Sequence, residues 1–284
     1  MVEDWITSHK LPFGKFIETI VNWLTQHGAR VFDFIQLVFS TIIDGFTHIL
    51  LFVPPLVLLA MIGAASFLLH RSWKLTAFVV CALLLVMNLG YWQAMMETLS
   101  LVVCATTFCV IVGVPIGVAA AHRPWLYAAI RPILDLMQTI PTFVYLIPTL
   151  VLFGLGTVPG LISTVIFAIP APIRLTHLGV SSTPRDLIEA GLSFGASRRQ
   201  LLWKVELPYA FPTIMAGVTQ CIMLSLSMVV IAALVGADGL GKPVVRALNQ
   251  VNIAMGFESG LAIVILAIIL DRVFKRPERR KARS

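Results

Sequence analysis

Residues 98–121 read TLSLVVCATTFCVIVGVPIGVAAA and contain no Asp, Glu, Lys or Arg. A helix of about 20 mostly apolar residues crosses the roughly 30 Å hydrocarbon layer of a membrane, so this run predicts a transmembrane helix. The whole chain has the same character, because 58% of its 284 residues are hydrophobic and only 12% are charged. An average soluble protein is roughly 25% charged. The composition therefore argues against a soluble enzyme, a disordered segment and a nucleic-acid binder.

Six further apolar stretches surround this run. The seven predicted spans lie at residues 49–69, 75–90, 98–121, 133–153, 160–180, 212–235 and 259–274. The second is short, and Pro141 and Pro148 interrupt the fourth. We therefore predict an all-α, polytopic integral membrane protein with about seven transmembrane helices.

The orientation follows from the Lys and Arg residues, which cytoplasmic loops retain. If the C-terminus is cytoplasmic, sixteen Lys and Arg lie on the cytoplasmic side and five lie outside. With seven spans, this asymmetry predicts an N-terminus outside a bacterial cytoplasmic (inner) membrane. The basic residues 274–284 then form a cytoplasmic tail that is attracted to anionic membrane lipid.

The first 47 residues differ from the spans. Their apolar residues recur at helical spacing, while Glu18, Asp33 and Asp44 interrupt any spanning run. This pattern predicts two amphipathic helices in residues 1–47 that lie on the outer membrane interface, followed by two accessory spans in residues 48–93. The alternative is that residues 31–47 begin a long, tilted first span.

The segment between the fifth and sixth spans, residues 181–210, carries helix-capping signals. Residues 183–186 read TPRD, which places an N-cap at Thr183, a proline at the first helical position and an acid at the third. We expect a short helix that Gly195 ends in the left-handed conformation.

A second capping box in the same segment pairs Ser197 with Gln200. It predicts a second short helix that ends before Pro208. An isolated helical hairpin of this size is marginal in water. We therefore expect this cytoplasmic hairpin to dock on another surface.

The same hairpin contains a motif with fixed spacing. Its residues are Glu189, Ala190, Gly191, Gly195, Val205, Leu207 and Pro208. Their spacing resembles the "EAA" coupling loop of ATP-binding-cassette importer permeases, with Gly191 in place of the usual second alanine and Val205 in place of isoleucine.

Residues 94–273 are similar to the glycine betaine/proline betaine/choline permeases. The resemblance rests on residues 137–148, 173–176, 239–241 and 267–272. The compact N-terminal segment favours the choline-type members. The alternative from another class is an ion-coupled secondary transporter of small amines, although the spans offer little besides Asp135 for ion coupling.

The resemblance implies a type I importer. Two copies of this chain would form the transmembrane part, with residues 94–273 as the transmembrane domain and residues 181–210 as the loop that contacts a cytoplasmic ATPase. A substrate-binding protein would deliver the substrate from outside. Residues 236–243 imitate a phosphate-binding loop, but Pro243 stands where Ser or Thr is needed. We therefore expect this chain to be no enzyme and to bind no cofactor itself, with ATP and Mg²⁺ on the partner ATPase. The His and Cys spacing suggests no metal site.

The sequence also offers candidates for a translocation path. They are Gln138, Pro141, Phe143, Tyr145 and Pro148. Prolines free backbone groups, and aromatic faces attract quaternary ammonium ions. The alternative is that these aromatics, and Trp92 with them, lie in the core or at the lipid interface.

Two further expectations concern side-chain packing. Cys109, Gly113 and Gly117 form a stripe of small residues that predicts close helix packing. Asp135 lies one helical turn after Arg131, so the spacing predicts an i,i+4 ion pair at the membrane interface.

Overall fold

The computed structural model describes residues 13–274, and all regular secondary structure in this range is helical. This confirms the predicted all-α class. The α-helices in chain order are α1 (Phe13–Phe52), α2 (Pro55–His70), α3 (Trp73–Asn88), α4 (Trp92–His122), α5 (Pro124–Thr139), α6 (Thr142–Phe153), α7 (Thr157–Ala168), α8 (Pro170–Ser181), α9 (Arg185–Ser193), α10 (Arg198–Leu201), α11 (Leu207–Ala233), α12 (Gly241–Gln250) and α13 (Ile253–Phe274). The π-helical turn Leu202–Glu206 joins α10 to α11. Residues 1–12 of the predicted interfacial segment and residues 275–284 of the predicted tail lie outside the described range.

Five stretches of helix in the described range are long and apolar enough to cross a membrane. They are Gly14–Phe52, Trp92–His122, Thr157–Ser181, Arg198–Ala233 and Ile253–Phe274. The pair α5 and α6 makes a sixth if it is taken as one bent span. The protein is therefore polytopic, as predicted, although its spans are built differently in three places.

The first difference concerns the predicted spans at residues 49–69 and 75–90. They become the helices α2 and α3, each of 16 residues, or about 24 Å at 1.5 Å per residue. This is shorter than a roughly 30 Å hydrocarbon layer. Pro54 has an extended conformation (φ −53°, ψ 136°), as the residue before a proline favours. Pro55 is the first residue of α2, so the helix α1 does not continue into α2.

The second difference concerns the N-terminal segment. The two predicted amphipathic helices are one 40-residue helix, α1, which also includes residues 49–52. Ile43 is buried in a cluster with Ala105 of α4, and the Phe39 and Phe108 rings meet edge to face at 5.5 Å. Residues 31–47 thus lie in a helix long enough to cross a membrane. They do not begin the span predicted at residues 49–69, because this helix begins at Phe13 and ends at Phe52, before Pro54.

The third difference concerns the predicted span at residues 133–153. The helix breaks at Ile140 and Pro141, and α5 and α6 meet at an angle of 96°. Ile140 takes an extended conformation, as the residue before a proline favours. Pro148 lies inside α6 without ending it.

The centre of the fold is α8, which lies between α4 and α11 and contacts both through small residues. A Cβ added at Gly117 of α4 would lie 2.6 Å from the Cβ of Thr176 and 2.7 Å from the carbonyl oxygen of Ile173. One at Gly217 of α11 would lie 3.0 Å from the Cβ of Leu175. Cys109 is buried, and Gly113 contacts Pro172 in the same way. The predicted close packing along Cys109, Gly113 and Gly117 is therefore confirmed.

We predict that Gly117→Ala destabilises the protein, because the new methyl group would overlap the backbone of α8. Overpacking of this kind costs about 1–3 kcal/mol. Thermal unfolding of the purified protein in detergent measures the effect. Gly260→Ala is the matched control, since Gly260 lies in the span α13 and a methyl group added there would have no atom within 4 Å. Equal melting temperatures for the two variants would contradict the close packing of α4 on α8.

Candidate functional site

The first five residues of the predicted coupling motif lie on one compact hairpin between α8 and α11, and the last two begin α11. Glu189, Ala190 and Gly191 lie on α9. Gly195 forms the elbow, Val205 lies in the π-helical turn, and Leu207 and Pro208 begin α11. We call residues 185–206 the coupling hairpin. Its two arms contact each other where Gly191 faces the buried Leu201, since a Cβ at position 191 would lie 2.8 Å from Leu201 Cδ1.

The elbow has the predicted geometry. Gly195 has φ +75°, a left-handed conformation that glycine adopts at little cost. Its N–H donates to the carbonyl oxygen of Leu192 at 2.8 Å, and the Ala196 N–H donates to that of Gly191 at 3.1 Å. This pair of bonds is a Schellman-type helix end. A Cβ added at Gly195 would have no atom within 4 Å, so the conformation and not crowding favours glycine here.

One predicted cap is confirmed and the other is wrong. The Gln200 N–H donates to Ser197 Oγ at 3.3 Å and the Ser197 N–H donates to Gln200 Oε1 at 2.9 Å, which is the predicted capping box. Thr183 does not cap α9. Its hydroxyl is buried without a hydrogen-bond partner, and the N-cap residue is Pro184.

The second arm does not end before Pro208, contrary to the prediction. It continues from Arg198 through the π-helical turn into α11, and the stretch Arg198–Ala233 is one helix of 36 residues. The Leu207 N–H bonds to the carbonyl oxygen of Leu202, five residues back. An α-helical turn would press the Pro208 ring against the Lys204 carbonyl, and the wider π turn comes just before that position. The hairpin is therefore continuous with a span.

The coupling hairpin exposes an apolar surface. Phe194 is 92% exposed at the elbow, and Leu192 and Trp203 are also exposed. Arg198 and Arg199 are exposed on the second arm beside them. Exposed apolar patches rimmed by charge mark protein or membrane contacts. Spacing alone cannot identify Phe194 as the most exposed of these residues, because that depends on how the two arms fold together.

Sequence reasoning also missed a polar link at the base of the coupling hairpin. Glu206, the last residue of the π turn, is 6% exposed. Its Oε2 lies 2.8 Å from Nε2 of His122, the last residue of α4. The sequence places both residues at the predicted cytoplasmic side, but this does not indicate that they contact each other.

The predicted path residues have different surroundings along α5 and α6. The Tyr145 hydroxyl donates to the carbonyl oxygen of Met137 at 2.7 Å across the bend between α5 and α6. Phe143 is exposed and Gln138 half-buried. Pro141 lies at the bend, and Pro148 lines a groove of about 420 Å³ between α1 and α6. Trp92 is buried in the core, as its alternative interpretation had it.

The predicted pair of Asp135 with Arg131 is wrong. Asp135 Oδ1 instead accepts a hydrogen bond from Arg174 Nη2 of α8 at 2.6 Å. One turn further along α8, His177 stacks on Tyr127 of α5 with ring centroids 3.6 Å apart. These two contacts fix α5 against α8. Sequence spacing favoured the local pair because it carries no information on which helix lies opposite.

Comparison with known proteins is consistent with this geometry. Residues 113–283 match the family "Binding-protein-dependent transport system inner membrane component". The glycine betaine transport system permease protein OpuAB of Bacillus subtilis is 43% identical over 93% of this chain and 93% of its own length. The glycine betaine/proline betaine transport system permease protein ProW of Escherichia coli is 42% identical over 95% of this chain and 81% of its own length.

A solved structure shows the same architecture. A chain of the MetNI methionine ABC transporter in an inward-facing conformation superposes with a TM-score of 0.56 at 26% identity. The match covers 63% of this chain and 93% of that one. The protein thus has the fold of type I ABC importer permeases, and the chain belongs to the family of binding-protein-dependent transport system inner membrane components.

Proposed function

We propose that this permease carries a betaine into the cell. The support is that the relatives matched over nearly the whole chain, including the N-terminal segment, are glycine betaine permeases. The choline transport system permease protein OpuBD of Bacillus subtilis is 33% identical over 57% of this chain. The compact N-terminus therefore gives no reason to prefer choline, and glycine betaine is the first substrate to test.

The driving force comes from a separate ATPase that docks on the coupling hairpin. The observation that carries this proposal is the unbroken helix from Arg198 to Ala233, which joins the hairpin rigidly to a span. Glu189, Ala190, Gly191, Gly195, Val205, Leu207 and Pro208 shape that contact. ATP and Mg²⁺ bind to the partner, which closes around ATP and displaces the hairpin. The spans then exchange between inward-open and outward-open packing, because the partner has different affinities for the two states.

The other partners follow from the same assignment. A second copy of the chain completes the translocation path, which places Gln138, Pro141, Phe143, Tyr145 and Pro148 between two chains or beside lipid. A substrate-binding protein docks on the outer side, and the basic tail contacts anionic lipid. Residues 94–273 form the transmembrane domain, preceded by accessory helices in residues 48–93.

The transport assignment predicts ATP-dependent uptake. The chain is reconstituted in liposomes with its ATPase and binding protein, and uptake of labelled glycine betaine is measured with and without ATP. We expect uptake only with ATP, and weaker competition by choline than by proline betaine. Uptake driven by an ion gradient in liposomes that lack the ATPase would contradict the importer and favour a secondary transporter.

The docking assignment predicts that Phe194→Ala weakens binding of the ATPase. A large side chain at the centre of an interface can contribute about 2 kcal/mol or more, so we expect the Kd to rise by about 30-fold or more. Phe257→Ala is the matched control, because Phe257 is 74% exposed but lies at the start of α13. Binding is measured with the permease in nanodiscs. Equal Kd values for the two variants would exclude Phe194 from the interface.

The orientation is tested with a reporter that is active only outside the cytoplasm. Fused to the N-terminus it should be active, and fused to the C-terminus it should be inactive, since Lys and Arg favour the cytoplasmic side. An inactive N-terminal fusion would mean that α1, which is long enough to cross the membrane, spans it from the cytoplasmic side.

A further inference from the structure

The link between Glu206 and His122 joins residues that are 84 positions apart in the chain. Glu206 lies between Val205 and Leu207 of the coupling motif, at the junction of the π turn and α11. His122 is the last residue of α4. The Glu206 side chain is buried, whereas the His122 side chain is 45% exposed, so water reaches this contact only from the imidazole side.

The two hydrogen bonds of the His122 ring form together only when His122 and Glu206 share one proton more than a neutral imidazole and a carboxylate carry. His122 Nδ1 lies 2.9 Å from the carbonyl oxygen of Val118, and Nε2 lies 2.8 Å from the Glu206 carboxyl group. A carbonyl oxygen only accepts, and so does a carboxylate. Both contacts are satisfied together when the ring is an imidazolium beside a carboxylate, or when a neutral ring donates from Nδ1 and accepts at Nε2 from a carboxylic acid. In the first form the bond is charge-assisted, and such bonds are roughly twice as strong as neutral ones.

The link has a mechanical position as well as a chemical one. On one side, Glu206 is part of the helix that runs from the coupling hairpin into α11. On the other side, His122 belongs to α4, whose Gly117 lies against α8 with no room for a methyl group. A displacement of the hairpin therefore reaches α4 directly through Glu206 and His122, and reaches α8 through the close contact at Gly117.

We propose that Glu206 and His122 are positioning residues that transmit movement of the coupling hairpin to α4. This inference rests on the proposed function, since it assigns a route for the displacement that the ATPase produces. The π turn is a suitable location, because π-helical turns are frequent at functional sites and alter the helix ladder over a few residues. Without the link, movement of the hairpin would reach α4 only through the packing of α11 and α8.

The test measures coupling as the number of betaine molecules transported per ATP hydrolysed. The complete complex of permease, ATPase and binding protein is reconstituted in proteoliposomes. We expect E206A to lower this ratio by about five-fold or more, within the usual range of coupling between sites. H122A should lower it to the same extent, and the double variant E206A/H122A should fall no further, because residues that act through one contact are not additive.

Two variants separate a role in coupling from a role in folding. In E206Q the amide group donates to Nε2 of a neutral His122, so the contact is kept and the ratio should stay within about two-fold of wild type. In E206L/H122A no carboxylate is left buried without a partner, so the protein should fold, yet the ratio should be as low as in E206A. Glu97→Gln removes a carboxylate at the opposite end of α4, where Gln93 donates to Glu97, and should leave the ratio unchanged.

The outcomes distinguish this inference from the proposed function. Wild-type coupling in E206L/H122A, or a ratio in the double variant E206A/H122A well below both single variants, would overturn the link while leaving the importer intact. Betaine transport by the wild-type permease in proteoliposomes that lack the ATPase would overturn the proposed function instead.

Discussion

A peptide N–H or C=O without a partner costs several kcal/mol in hydrocarbon, where no water can replace the lost hydrogen bond. Every break in a membrane helix of this protein therefore needs a local substitute. At the bend between α5 and α6, the Tyr145 hydroxyl donates to a carbonyl that the break leaves free. The turn before α7 lies between two predicted spans, and there the Gly156 N–H donates to the carbonyl oxygen of Val235 at 2.8 Å. In both places, a side chain or a segment distant in the chain supplies a hydrogen-bond partner where the chain changes direction.

This constraint also changes the role that we assign to Tyr145. The sequence placed it on a path for a quaternary ammonium ion, whereas its hydroxyl is engaged in holding a bent helix pair together. A side chain that carries such a bond is costly to move during each transport cycle. Phe143, which is exposed on the same short helix, is free of that restriction and is the better of the two aromatic candidates for the proposed path.

Local signals in the sequence predicted local structure well. The capping box of Ser197 and Gln200 and the left-handed Gly195 depend on residues within one turn of each other, and both form as expected. The apolar run at residues 98–121 predicted a span because burial in lipid needs no partner. Contacts between distant helices were not predictable, and Asp135 shows why. Its spacing favoured Arg131, but Arg174 occupies the facing helix. The contact between Glu206 and His122 also joins two distant helices and was not predictable. The continuation of the second arm past Pro208 was missed for another reason: the wider π turn before Pro208 allows the helix to continue through the proline.

The π turn at Leu202–Glu206 fixes how the coupling hairpin is oriented around the axis of α11. Each residue of an α-helix turns the chain by about 100°, and the π turn already holds the one extra residue that a helix can take up locally. Inserting one residue into α10 would therefore swing the elbow and Phe194 by about that angle relative to the span. Length changes are thus far more damaging here than exchanges of residue type. The stretch from Gly195 to Pro208 is a fixed-length spacer, in which the number of residues carries as much information as their chemistry.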